Sequence, residues 1–163
     1  MHPKGRYNIK IAQRENIEIK TYDNVESIPI FIEMYRKTAE RHNFKAQENI
    51  YVETLLKILF ATKQGRLFFA EKNGTLLAGA VVINYGSTAT YFIGASTNES
   101  PKSMASYLLH WEIMRSAKNA GCSWYDLWGI SGTPNDSWGG ITEFKRKFGG
   151  TQKNFIGAYD LIF

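Results

Sequence analysis

Hydrophobic and polar positions change period several times along the chain, and each change marks an element. Residues 17–22 (IEIKTY) alternate with period two, which predicts a half-buried strand. Val25, Ile28, Ile32, Tyr35 and Ala39 then recur at helical spacing, behind Asp23 or Asn24 as a cap and with Pro29 in the first turns, ending near His42-Asn43. A second helix is expected from Asn49 to about Lys63, with Val52, Leu55, Leu56 and Leu59 inward and Gly65 as its stop. Residues 66–72, 76–84 and 88–96 read as three strands. Asn73-Gly74 joins the first two as a two-residue hairpin, and Gly86-Ser87 turns into the third. The middle strand is almost continuously apolar, as expected for a strand covered on both faces. A polar loop (97–102) leads to a long helix with Met104, Leu108, Trp111 and Met114 on its buried face and Gly121 at its end. Residues 124–130 (WYDLWGI) form a short strand, 134–140 a loop, 140–150 a short basic helix closed by two glycines, and 155–163 a last apolar strand. At the other end, residues 1–16 make a basic helical opening with Tyr7, Ile11 and Ala12 on one stripe. So little apolar content leaves that helix in need of a partner surface.

Composition narrows the class. The 163 residues suit one globular domain, and 14% aromatic content argues against disorder. A net charge of +5 permits an anionic partner without demanding one. The single cysteine, Cys122, excludes an internal disulfide and a thiolate zinc site. His2, His42 and His110 lack metal-ligand spacing. No apolar run approaches the roughly 20 residues of a membrane span, and the opening MHPKGRYNIK has no signal-peptide core. The chain reads as a soluble protein of a reducing compartment that needs no metal.

The element order is strand, two helices, three-strand meander, helix, strand, helix, strand. It describes an α+β domain with a mixed sheet, antiparallel first and parallel later, because the strand–helix–strand passage suggests parallel pairing. That order is similar to the GNAT-type acyltransferase fold. Three segments carry a more specific likeness: YLLHWEIMRSAKNAGCSWYDLWGI (107–130), GGITEFKRKFGG (139–150) followed by FIGAYDLIF, and the opening PKGRYNIKIAQREN. Together they resemble the second half of the Fem family, the FemA, FemB and FemX type of peptidyltransferase. The likeness implies residues 1–16 as the segment joining two domains, residues 17–163 as one GNAT-like domain, and a further GNAT-like domain on the N-terminal side. Met1 is then not required to be a natural start.

The resemblance implies a reaction in the cytoplasm, with a peripheral position at the inner membrane face and no membrane insertion. An amino group on the stem peptide of a peptidoglycan precursor attacks the ester carbonyl of an aminoacyl-tRNA. The acceptor is UDP-MurNAc-pentapeptide or its lipid-linked form, and no cofactor is implied. It also implies roles residue by residue. Phe144 and Lys145 correspond to a family pair facing the 3′ end of the tRNA. Lysine meets phosphate or developing oxyanion as a point charge, and Phe144 can stack on the terminal adenine. Arg146 and Lys147 would add phosphate contacts. Read without the family, the same residues make a solvated basic helix with Phe144 and Phe148 inward. Tyr51 matches a precursor-binding tyrosine, but Gln47 stands where the family commonly has arginine. Glutamine lacks the charged bidentate fork, and Lys45 is a substitute. Tyr91 lies near another precursor-contacting tyrosine, with core packing as its other reading. Asp126 lies near the C-terminal end of a parallel strand, where α/β ligand sites gather. The favoured reading is a cap or backbone acceptor at the strand end, and Asp160 is treated alike. His110 and Cys122 read as structural, as does Trp111, with Glu112 on a solvated face.

Two rivals share the fold. An acyl-CoA-dependent N-acetyltransferase usually has a glycine-rich pyrophosphate turn before the helix after the meander. Residues 97–106 (TNESPKSMAS) contain no glycine, and Glu99 carries the wrong charge. A non-catalytic binding module would instead use the opening, with Arg6, Tyr7 and Lys10, as a docking face.

Overall fold

The apolar middle of the sequence builds a sheet whose strand order follows the chain. The computed structural model describes residues 1–132, 138–154 and 157. In chain order the elements are α1 (Pro3–Arg14), β1 (Glu18–Tyr22), α2 (Ser27–His42), α3 (Asn49–Ala61), β2 (Gly65–Lys72), β3 (Thr75–Tyr85), β4 (Thr88–Ser96), α4 (Ala105–Asn119), β5 (Trp124–Asp126) and α5 (Gly139–Arg146). β1 to β4 pair antiparallel, and β5 joins β4 in parallel, giving the order β1-β2-β3-β4-β5. The mixed sheet matches the expectation. The hairpin at Asn73-Gly74 forms with both residues at positive φ (50° and 80°), as a type I′ turn requires.

Each face of the sheet buries its own cluster, as a strand with few charges dictates. Ile9 and Ala12 of α1 and Leu108, Leu109 and Ile113 of α4 pack with Phe68, Ala80, Val82 and Ala89 on one face. Ile28, Phe31 and Met34 of α2 and Val52, Leu56 and Leu59 of α3 pack with Leu67, Phe69, Val81 and Ile93 on the other. Phe148, just after α5, joins the first cluster.

Several local expectations shift. α1 turns Gly5, Asn8, Ile9 and Ala12 inward, while Tyr7 is 61% exposed, because close approach to its neighbours selects small residues rather than the tyrosine stripe. Val25 precedes α2 and is exposed; Asn24 accepts the Ser27 amide and caps the turn. α3 ends at Ala61, and Lys63 at φ 56° turns the chain, so Gly65 opens β2 instead of stopping the helix. Its missing side chain is needed there: a Cβ would meet Leu59 Cβ at 2.9 Å. β5 is three residues long instead of seven, and α5 begins at Gly139 and ends at Arg146. Most of the loop expected at 134–140, the last strand (155–163, apart from Gly157) and Asp160 lie outside the described residues.

α1 finds its partner surface on α4 and on the turn after α5. The His2 amide donates to the Lys147 carbonyl at 3.1 Å, and Gly5 lies against that same carbonyl. Replacing a helical glycine with alanine ordinarily stabilises by about 1 kcal/mol. Here a Cβ would sit 2.6 Å from the Lys147 oxygen, with main chain on both sides. Gly5→Ala is therefore expected to destabilise the fold by about 1–3 kcal/mol through overpacking, read as a lower urea midpoint.

Candidate active site

The parallel ladder of β4 and β5 has three register pairs, Thr88–Trp124, Ala89–Tyr125 and Thr90–Asp126. β4 then continues to Ser96 while β5 stops, so the two strands part beyond Thr90. A bulge enlarges the parting: Val82 pairs with Tyr91 and Val81 with Ile93, leaving Phe92 as the extra residue on β4.

Lys145 fills the space beside this parting. Thr142 at i−3 on α5 and Phe148 at i+3 just after it are both buried, so the helix presents 145 inward although the surrounding sequence is basic. Only 6% of the residue is exposed. Nζ donates to the Gly129 carbonyl at 2.6 Å and stands 5.7 Å from the centre of the Tyr91 ring, within reach of a cation–π attraction. Burial lowers the Lys145 pKa to about 8, with the Asp126 carboxylate pulling back towards the charged form. A further hydrogen bond, from the Ser131 amide to Thr142 Oγ1 at 3.0 Å, ties the segment after β5 to α5.

Beneath the ammonium lies a buried aromatic floor. His110, 2% exposed, shares a 2.9 Å hydrogen bond between Nδ1 and the Tyr125 hydroxyl. Its ring meets Tyr91 edge-on at 4.4 Å and lies 5.3 Å from both Phe144 and Phe148. Burial, helped by the Lys145 charge, pushes the His110 pKa down to about 3. Burial pushes Tyr91 up to about 12 and Tyr125 well above the usual tyrosine range. All three groups are thus neutral at pH 7, and the lysine holds the charge.

Of the residues singled out in the sequence, the structure gathers Tyr91, Asp126, Phe144 and Lys145. The Phe144 ring packs on Tyr107 at 4.9 Å and on Phe148 at 5.2 Å. The Asp126 carboxylate accepts the Trp128 amide at 2.7 Å, a backbone-acceptor role at the strand end. The solvated reading of the basic helix holds for Arg146, which is exposed and pairs with Glu143, but not for Lys145. The backbone of Lys147 receives His2. Tyr51, 46% exposed, lies in the first turn of α3 and Gln47 two residues before the helix, which packs on the opposite face of the sheet. The Gln47 amide donates to the Tyr35 hydroxyl at 3.3 Å. Among the described residues no contact joins Tyr51 or Gln47 to Lys145.

Tyr125 and Trp128 are not marked out by sequence, and His110 reads there only as structural. Its burial had a signal: Tyr107 and Ile113 at i−3 and i+3, both buried, place it on an apolar face. The pairing with Tyr125 depends on the crossover from α4 to β5, which no local pattern reveals.

A FemAB family model matches residues 1–71 and 61–163. The chain belongs to the FemAB family. The UDP-N-acetylmuramoylpentapeptide-lysine N(6)-alanyltransferase of Weissella viridescens is 25% identical over 160 residues, which cover 98% of this chain and 46% of that protein. The crystal structure of FemX superposes with a TM-score of 0.84 at 17% identity, over 91% of this chain and 54% of that one. An aminoglycoside acetyltransferase, meta-AAC0020, from an uncultured soil metagenomic sample gives 0.61 at 15% identity, over 90% and 96%. These superpositions establish the GNAT-like fold for this FemAB chain. The chain spans about half the length of the Weissella protein and of FemX.

Neutral His110 ties stability of this FemAB domain to pH. The unfolded chain binds a proton on histidine near 6.5, and the folded chain does so only near 3. Between those values the unfolded state holds more protons, so stability is full above about 6.5 and falls with acidification. We expect a loss of about 1.4 kcal/mol per pH unit below 6.5. It is measured as the urea midpoint from pH 7 to 5, and His110→Gln should flatten the slope.

Proposed function

We propose that this FemAB domain transfers an amino acid from aminoacyl-tRNA to the stem-peptide amino group of a peptidoglycan precursor, forming a cell-wall interpeptide bridge. In the reaction the amine nitrogen bonds to the ester carbonyl carbon and loses a proton. The carbon–oxygen ester bond breaks, and the terminal ribose hydroxyl leaves with a proton. The ester is already activated, so positioning and oxyanion stabilisation are the main demands. The observation that carries this reading is the Lys145 ammonium, the cation beside the parting of β4 and β5, held by the Gly129 carbonyl over a neutral floor. A charge already stripped of water can meet a developing oxyanion or a terminal phosphate with little reorganisation. Tyr91 and Phe144 shape the aromatic floor around His110, and the Asp126 carboxylate favours the charged form of the lysine. Exposed Arg146 offers phosphate contact, with Lys147 beside it.

The acceptor is UDP-MurNAc-pentapeptide or its lipid-linked form, met in the cytoplasm at the inner membrane face. Tyr51 and Gln47 would contact it from the other side of the sheet, across a cleft shared with a GNAT-like domain on the N-terminal side. Residues 1–16 would join the two, with 17–163 as the GNAT-like domain. Among the described residues no helix is long and apolar enough to cross a membrane.

The test is binding of a charged acceptor-stem minihelix, with acetyl-CoA in parallel. Lys145→Ala is expected to weaken minihelix binding about 10-fold or more, since hydrogen bonds to charged groups are worth about 1.5–3 kcal/mol. Affinity of the unaltered chain should also fall as pH rises through about 8, where Lys145 discharges, and the variant should lack that step. Acetyl-CoA binding without minihelix binding would overturn the reading in favour of an acetyltransferase.

A further inference from the structure

Trp128 is the described residue whose backbone least suits its side chain. It sits at φ 65°, in the left-handed region that glycine occupies freely and bulky side chains rarely do. Two contacts hold it there. Its amide donates to Asp126 Oδ1 at 2.7 Å, closing a turn at the end of β5. Its ring meets Phe92, the bulged residue of β4, with centroids 5.3 Å apart and planes at 75°. The residue is nevertheless 53% exposed. The fold therefore fixes a large aromatic ring at the parting of the two strands without using it as core. Exposed Trp124 is placed differently, at the start of β5, with the Lys153 ammonium 4.9 Å from its ring centre.

The position matters because of the next residue. The Gly129 carbonyl receives the Lys145 ammonium, so the ring stands one peptide unit from the carbonyl that holds the site's charge. Phe92, its wall, follows Tyr91, whose ring lies beneath the same ammonium. Unfavourable backbone conformations persist where surrounding structure over-determines them, and they gather at ligand-binding places. A glycine at 128 would satisfy the turn with less strain. The tryptophan contributes a rigid planar surface.

We propose that Trp128 is a stacking platform for a nucleobase delivered to the site. This rests on the transfer reading above, in which two substrates carry a base: the 3′-terminal base of the RNA donor, and the uracil of a nucleotide-linked acceptor. Stacking of a base on an aromatic side chain tolerates any base identity and is worth about 1–3 kcal/mol. At 1.4 kcal/mol per tenfold, that is a loss of about 5- to 150-fold when the ring is removed.

The experiment measures affinities of the full chain for four probes. They are an acceptor-stem minihelix with 2-aminopurine at its 3′ end, the same minihelix with an abasic 3′ end, UDP, and ribose 5-diphosphate. Trp128→Gly removes the ring while suiting the backbone, so it should fold with an unchanged circular dichroism spectrum. Trp128→Phe keeps a smaller ring. Loss of affinity in Trp128→Gly for a base-bearing probe, rescue in Trp128→Phe, and indifference towards the matching abasic probe support the platform. Which probe responds names the source, donor or acceptor. Minihelix binding that depends on Lys145 but not on Trp128, with UDP binding equally indifferent, overturns the platform and leaves the proposed function standing. Trp128-dependent UDP binding with no minihelix binding sustains the platform and counts against the donor side of the function. Absence of any base-dependent binding overturns the platform.

Discussion

Taking an ammonium out of water is among the costlier things a small domain can do, and the C-terminal part of this one is arranged around such a group. Lys145 is accommodated by one short hydrogen bond to a carbonyl and by the π-face of Tyr91, with the Asp126 carboxylate favouring its charged form. The rings adjacent to it are kept neutral, since a second positive charge beside it would raise the cost further. The histidine beneath it illustrates this, held uncharged by burial and by the lysine itself. The parting of β4 and β5, the turn through Trp128 and the inward face of α5 all serve one requirement, a buried lysine meeting a carbonyl at the edge of the fold.

This constraint explains why the site comes from such scattered stretches of sequence. The carbonyl follows β5, the π-face comes from β4, the imidazole from α4 and the ammonium from α5. A three-residue parallel ladder is long enough to fix the start of β5 beside β4 and short enough to let the chains separate just beyond it. The bulge at Phe92 works in the same direction from the other strand.

Much of the scaffold was legible in sequence because it is written locally. Period-two alternation, an Asn-Gly turn and helical apolar spacing located β1 to β4 and α2 to α4 to within a few residues. The boundaries that shifted are those decided by tertiary contact. Gly65 looks like a helix stop by composition, yet it is a strand residue that leaves room for Leu59. Tyr7 looks like a core residue by spacing, yet small residues win where α1 crosses α4 and the Lys147 backbone. The site was legible in part. Family likeness drew attention to Lys145, but a basic run gives no hint that one of its lysines is nearly dry. Nor does any pattern reveal that His110 and Tyr125, fifteen residues apart, share a hydrogen bond.

The fastening of α5 has a further consequence. The helix is eight residues long, too short to persist alone. It is held by the Lys145–Gly129 and Ser131–Thr142 hydrogen bonds, by its phenylalanines against His110 and Tyr107, and by the chain's first residues at Lys147. The core cluster under α2 and α3 includes none of these residues. Detachment of α5 is therefore a partial opening that costs less than global unfolding. The closed fraction then multiplies into every affinity measured at the site. Changes as remote as the first turn of α1 can tune binding in this way without touching a ligand.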